Sequence, residues 1–215
     1  MLDRVEKAFP GLPYMKPAQA AFIRDLVNTH ELDNLLELGT FQGKGTAYMA
    51  LMQEERGRGH VTTLDVDVCL EHAPNVEQVI TTLGLSHRVT VRLTKRSFTH
   101  TLMKMLEETP RPLFDFAYID GAHTWDGSGF AFFLVNMMLK PGGWIIFDDL
   151  DWTIVDAEAR RSVRQNGAKG PIYRTYSDEE KRLPLVRKVW ELLVPEAGYV
   201  NRHERDNWGI AQKPG

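Results

Sequence analysis

Five acids and one histidine fall where alternating strands and helices would bring them to one edge of a sheet. Glu37 ends the apolar run LLEL and is followed by Gly39, Gly43 and Gly45; Asp65 ends VTTLD; Asp120 ends FDFAYID, with His123 three residues on; and Asp148 and Asp149 end WIIFDD. Glycines directly after a strand let the backbone turn sharply and approach a ligand, because no Cβ stands in the way, which makes a nucleotide-type cradle. Asp120, Asp148 and Asp149 would repel one another unless something positive lay between them. Oxygen donors favour a hard ion, so Mg²⁺ or Mn²⁺ fits better than zinc, and there is no Cys/His cluster to argue otherwise. The alternative is that Asp120 lies beside a cofactor while Asp148 and Asp149 cap a turn. His123 titrates near working pH and could act as a general base; a surface or structural histidine is the other reading, and Asp126 and Asp151 are the nearest substitutes.

The glycine spacing says which nucleotide the cradle fits. A dinucleotide fold needs G-x-G-x-x-G, and this chain has Gly39-x-x-x-Gly43-x-Gly45. A phosphate loop needs four residues between its glycines and a hydroxyl after the lysine, whereas GTFQGKGT has three and then Gly45. Lys44 is therefore expected to be solvated. The remaining pattern, E-x-G-x-x-x-G-x-G, resembles motif I of the class I S-adenosylmethionine (SAM) methyltransferases, and an acid before the glycines suits a cationic cofactor. That resemblance implies cofactor contacts from Glu37, Gly39, Thr40, Gly43, Gly45 and Thr46, and from Asp120 at the far side. Asp65, about 20 residues beyond the glycines, is expected to accept both ribose hydroxyls, with Asp67 in reserve. Ser97 and Phe98 stand at the next strand end, where an adenine could be bonded and stacked.

IDGAHTW followed by LKPGGWIIFDDLDW is similar to the metal-dependent O-methyltransferases of antibiotic sugars, the macrocin and mycinamicin type, with cephalosporin-hydroxylase-like relatives. The resemblance implies Mg²⁺ on Asp120, Asp148 and Asp149 and His123 as base. Catechol-type enzymes carry a lysine-bearing motif after the first acid, where this chain has Gly121-Ala122-His123. The expected activity is SAM-dependent, Mg²⁺-dependent methyl transfer to a hydroxyl of a small molecule, such as a natural-product intermediate. Two rivals are a metal-independent N- or O-methyltransferase of the same fold and a non-catalytic SAM-binding subunit.

The elements that must position these residues follow from periodicity. Residues 17–29 show an amphipathic helical stripe, 47–53 continue as a helix after the glycine turn, and 76–83 and 98–107 read as further helices. Strands are expected at 61–65, 88–94, 114–120 and 144–149, with a helix over 125–139 and a turn at Lys140-Pro141-Gly142-Gly143. Strand alternates with helix, so the fold expected is α/β and Rossmann-like: a mostly parallel seven-stranded sheet with helices on both faces. Residues 199–205 and 208–213 would close it as an antiparallel pair. The whole chain, 1–215, reads as one domain, with an irregular N-terminal arm over 1–15 whose Phe9, Leu12, Tyr14 and Met15 could lie over a ligand. Residues 151–180 form an insertion on the substrate side. Its Arg160, Arg161, Arg164, Lys169 and Arg174 either pair with an acidic substrate or form a solvated face.

Composition bounds the rest. With 215 residues, 43% apolar, the chain can bury a full core without staples, and a net charge of −3 gives no electrostatic footprint for nucleic acid. Cys69 is the single cysteine and fits a reducing cytoplasm. The N-terminus, charged and broken by prolines, lacks the apolar core of a signal peptide. The apolar run 130–139 is too short to span a membrane and reads as a buried helix or as part of a homodimer contact.

Overall fold

The computed structural model describes residues 2–164 and 175–215, with side chains described outside 160–174. One seven-stranded sheet runs through the chain in the order β3-β2-β1-β4-β5-β7-β6. Its strands are β1 (Asn34–Leu38), β2 (His60–Val66), β3 (Val89–Thr94), β4 (Phe114–Ile119), β5 (Leu139–Phe147), β6 (Val200–Arg205) and β7 (Trp208–Gln212). β1 to β5 are mutually parallel, and β7 runs antiparallel to both β5 and β6. The order reverses between β1 and β4, so the crevice beyond their C-terminal ends is where such a sheet takes a ligand.

Strand alternation explains why both faces are covered. Leu35, Phe116, Tyr118 and Ile146 join one apolar cluster, with α2 (Pro17–Thr29), α3 (Lys44–Glu55) and α4 (Val76–Thr82), while Leu36, Leu38, Ala117 and Ile145 join the other, under α5 (Phe98–Glu107) and α6 (Trp125–Asn136). The register also lines up Thr63, Glu37, Tyr118 and Ile146 in one row across four strands. Two residues further along the same face stand Asp65, Gly39, Asp120 and Asp148. The period of two thus fixes which side chains meet at the edge.

Four expectations need correction. The arm is not irregular: α1 (Asp3–Ala8) forms there, with Val5 buried and the Arg4 guanidinium donating to the Leu83 carbonyl at 2.9 Å. Pro10, Gly11 and Pro13 signalled a loop, and a six-residue helix is too short to show a periodic stripe. The Lys140 to Gly143 stretch is not a turn between helix and strand but part of β5, where the register with β4 shifts and Gly142, at φ +76°, bonds back to Lys213. The run 130–139 is not wholly buried, since Phe130 and Phe133 are 53% and 54% exposed on the outer side of α6. Finally, the stretch from Leu183 to Val194, whose sequence reads as a single helix, divides. α9 (Leu185–Lys188) passes into a π segment, Val189–Leu193, just before Pro195, which has no N–H for the carbonyl four residues back.

After β5 the insertion begins as α7 (Ile154–Arg164), and α8 (Asp178–Arg182) follows the undescribed stretch. The basic side chains of Arg160, Arg161, Arg164, Lys169 and Arg174 lie outside the described residues.

Candidate active site

The glycine turn lies between the ends of two strands. The Gly39 N–H donates to the Leu64 carbonyl at 2.9 Å, and the Asp120 N–H donates to the Leu38 carbonyl at 2.8 Å. Gly43, at φ +85°, then starts α3, where a Cβ would strike the Val76 backbone at 2.8 Å. A cleft opens over this turn, floored by Glu37, Gly39, Thr40, Gly45 and Asp120 and covered by Tyr14 and Met15 of the arm.

Glu37 is the buried hub of the floor. One of its oxygens accepts from the Thr46 hydroxyl and, at 2.6 Å, from the Thr63 hydroxyl, which is in turn hydrogen-bonded to Thr40. Burial pushes its carboxyl up to about 8; the two hydroxyls oppose the shift, and the charges of Asp120 and Asp65 add to it. A raised acid pKa means that the folded protein holds a proton the unfolded chain releases. Glu37 therefore favours folding fully below about pH 4.5, and this contribution declines as pH rises to about 8 and stays lost above it. Glu37→Gln is expected to remove that slope. Denaturation at a series of pH values should show the variant gaining on the wild type by up to about 1.4 kcal/mol per pH unit across the window, and parallel curves would refute the assignment.

The second centre forms where β4 and β5 end. Nε2 of His123 lies 3.5 Å from one oxygen of Asp120 and 3.3 Å from one of Asp149, and the three ligand atoms fall within 4.8 Å of one another. That nitrogen is buried and makes no well-directed hydrogen bond. The imidazole stacks on Trp152, with ring centres 5.0 Å apart and planes at 26°. Burial opposes charging His123, but the two adjacent carboxylates of Asp120 and Asp149 outweigh it and raise the imidazole to about 9. Asp148 points elsewhere: one oxygen takes the Tyr118 hydroxyl and the other the Asp149 N–H at 2.6 Å. Burial first, then the charge of Asp120, pushes its carboxyl up to about 7.

Backbone strain gathers at the same place. Ala122, His123 and Asp149 have φ of 67°, 52° and 57°, and Tyr14 and Phe41 over the cleft have 66° and 49°. A left-handed alanine or aromatic residue costs energy that the surrounding structure must supply. Here the capped start of α6, with the Thr124 hydroxyl accepting from the Gly127 N–H, fixes the loop that carries His123.

Other predicted residues take supporting places. Asp65 reaches the turn, yet one of its oxygens accepts from the Thr40 and Phe41 N–H groups at 2.8 and 2.7 Å, and the other from Val66. Asp67 pairs with Lys95 at 2.5 Å. Thr46 is wholly buried beneath the floor, Ser97 caps α5 by accepting from the Thr99 N–H, and Phe98 is buried against Gly121. Lys44 is not solvated. It is 8% exposed, bonded to the Leu12 carbonyl and paired with Glu6, each at 2.9 Å. Sequence reasoning missed Thr63, Tyr118, Phe41 and Trp152. The first two were legible in principle, each lying two residues before a marked acid and so on its face of the sheet.

A sheet of this order, with an acid and a glycine turn at its reversal point and a second acid ending β2, defines a class I SAM-dependent methyltransferase. The family described as "Methyltransferase domain" matches residues 36–150, just over half of the chain, and the chain belongs to it. A catechol O-methyltransferase of Niastella koreensis is 28% identical over 163 residues, covering 74% of this chain and 70% of that protein. The O-methyltransferase of Bacillus cereus in complex with S-adenosylhomocysteine (SAH) superposes with a TM-score of 0.64 at 24% identity, over 99% of this chain and 90% of that one. The mycinamycin-pathway methyltransferase MycE, in complex with Mg and SAH, gives 0.58 at 16% identity, over 99% and 54%. Both superpositions show the fold.

Proposed function

We propose that the chain transfers a methyl group from SAM to a hydroxyl of a small molecule with the help of a divalent cation, Mg²⁺ or Mn²⁺. One observation carries the reading: a buried imidazole nitrogen without a hydrogen bond faces two carboxylates at the strand edge that borders the cofactor cleft. The donor set fits a small hard cation held by Asp120 and Asp149, with Asp148 adjoining. The relatives add support, one being a catechol O-methyltransferase and another having been seen with Mg and SAH.

Bound SAM supplies an electrophilic methyl, and a bound divalent cation lowers the proton affinity of the acceptor hydroxyl. His123 Nε2 takes the proton as the oxygen–carbon bond forms and the carbon–sulfur pair stays on sulfur. Flanked by two bare carboxylates, His123 holds its own proton near neutral pH. With a cation held by Asp120 and Asp149, their charges would no longer keep that proton on the imidazole, which would then be free to accept one. Trp152 keeps the ring from rotating away. Glu37, Gly39 and Gly45, which line the same cleft, would hold the methionine end of the donor; Asp65 fixes the turn that would lie near its ribose, and Ser97 and Phe98 would border its adenine.

The acceptor class rests on the same loop. Gly121-Ala122-His123 replaces the lysine-bearing catechol motif, which favours a hydroxylated natural-product intermediate over a catechol. A cavity of about 480 Å³ lies between α6, α8 and α9, lined by Trp125, Asp126 and Tyr176. The exposed Phe130 and Phe133 support a contact with a second copy of the chain. Among the described residues no helix is long and apolar enough to cross a membrane.

A labelled-methyl assay over catechols, polyketides and glycosides tests the reading. Turnover is expected to vanish with EDTA and return with Mg²⁺, and His123→Ala should lower it about 10²- to 10⁴-fold. Activity that survives EDTA would favour the metal-independent alternative, and SAM binding without turnover on any acceptor the non-catalytic one.

A further inference from the structure

Lys44 is in an expensive position. It is the first residue of a 12-residue helix, where the backbone dipole disfavours a cation, and it is nearly buried. It also lines the cleft that takes SAM, whose sulfonium gives it one more positive charge than SAH. An unopposed ammonium in that wall would repel the donor and leave the product untouched. Methyl transfer gains nothing from such a residue unless something cancels it.

What cancels it comes from the arm. Glu6 of α1 meets the ammonium at 2.9 Å, and the Leu12 carbonyl accepts from the same nitrogen at 2.9 Å. The Tyr48 hydroxyl, on the helix that Lys44 begins, donates to Glu6 at 2.5 Å. The bonds from Tyr48 and Lys44 hold the Glu6 carboxyl below its usual range, so it stays ionised. Past Leu12 the arm lays Tyr14 edge-on to Phe41, with ring centres 5.1 Å apart, and brings the Met15 methyl close over Gly45.

We infer that Glu6 and Lys44 form a latch that seats the N-terminal arm over the cofactor cleft and, by neutralising its wall, lets the cleft hold the cationic donor as well as the neutral product. They are positioning residues, acting through the arm and the field. The inference rests on SAM binding and on neither the metal nor the acceptor, so it is tested without either.

Calorimetric titration of the whole protein with SAM and with SAH gives the ratio of the two Kd values, which a purely structural role would not move. Glu6→Gln leaves Lys44 charged without its carboxylate partner, and is expected to weaken SAM at least about fivefold more than SAH. Lys44→Met leaves the Glu6 charge without its cation and should move the ratio the opposite way, and the double variant should restore it. Amide hydrogen exchange over residues 3–15 should quicken in both single variants. Ratios within twofold of the wild type in both single variants would overturn the inference, as would loss of both ligands in equal measure with unchanged exchange in the arm.

Discussion

Gly39→Ala is expected to abolish SAH binding and to cost about 3 kcal/mol or more of stability, roughly 6–12 °C in Tm for a chain of this length. Two penalties coincide. The residue sits at φ +96°, where an L side chain is strained, and its Cβ would lie 1.8 Å from the Asp120 carbonyl oxygen and 2.7 Å from the carbonyl carbon. Both obstacles are backbone, so no rotamer change relieves them. Relief requires the ends of β1 and β4 to separate, which displaces Asp120 and opens the turn that Asp65 holds through Thr40 and Phe41. Gly57→Ala is the control, because Gly57 also has positive φ, +66°, but nothing lies within 4 Å of its added Cβ. It should cost about 1 kcal/mol and leave binding unchanged. A Gly39→Ala protein with wild-type SAH affinity would mean that the turn is not the cofactor cradle.

The contrast between these glycines shows how much of the molecule can be read from its sequence. Apolar runs that end in acids mark β1, β2, β4 and β5, because a strand buried on both faces must be apolar throughout and can admit charge only where it leaves the sheet. Phe98–Glu107 was legible to the residue, since its stripe is strong and Ser97 caps it. What sequence spacing cannot show is where a long side chain finds its partner. GKG excludes a phosphate-binding lysine and leaves a solvated lysine as the expectation; the Leu12 carbonyl that holds it lies 32 residues earlier. Asp148 likewise stands beside Asp149 in sequence, while its oxygen turns to Tyr118, thirty residues away. A dipeptide of acids points two ways by the strand period, and Asp149's left-handed φ then returns its side chain toward His123. The gathering of Asp120, His123 and Asp149 depends on that turn together with the left-handed backbone at Ala122 and His123.

For the same reason Asp149→Asn should have the largest effect on the chemistry. Asparagine tolerates φ 57° nearly as well as aspartate, whereas alanine would add strain of its own, so the change isolates the charge. With Asp149 neutral, the edge loses one of the carboxylates proposed to grip a cation and one of the two that face His123. Turnover is expected to fall about a thousandfold, a loss near 4 kcal/mol in the transition state, and the Mg²⁺ concentration for half-maximal rate should rise at least about tenfold. SAH affinity should stay within about threefold, because Asp149 does not line the cofactor cleft. Labelled-methyl transfer across a Mg²⁺ titration, with SAH calorimetry beside it, separates the outcomes. A fall in rate with an unchanged Mg²⁺ midpoint would make Asp149 the holder of His123 and leave the ion to Asp120 and Asp148. Wild-type turnover would remove it from the reaction centre altogether.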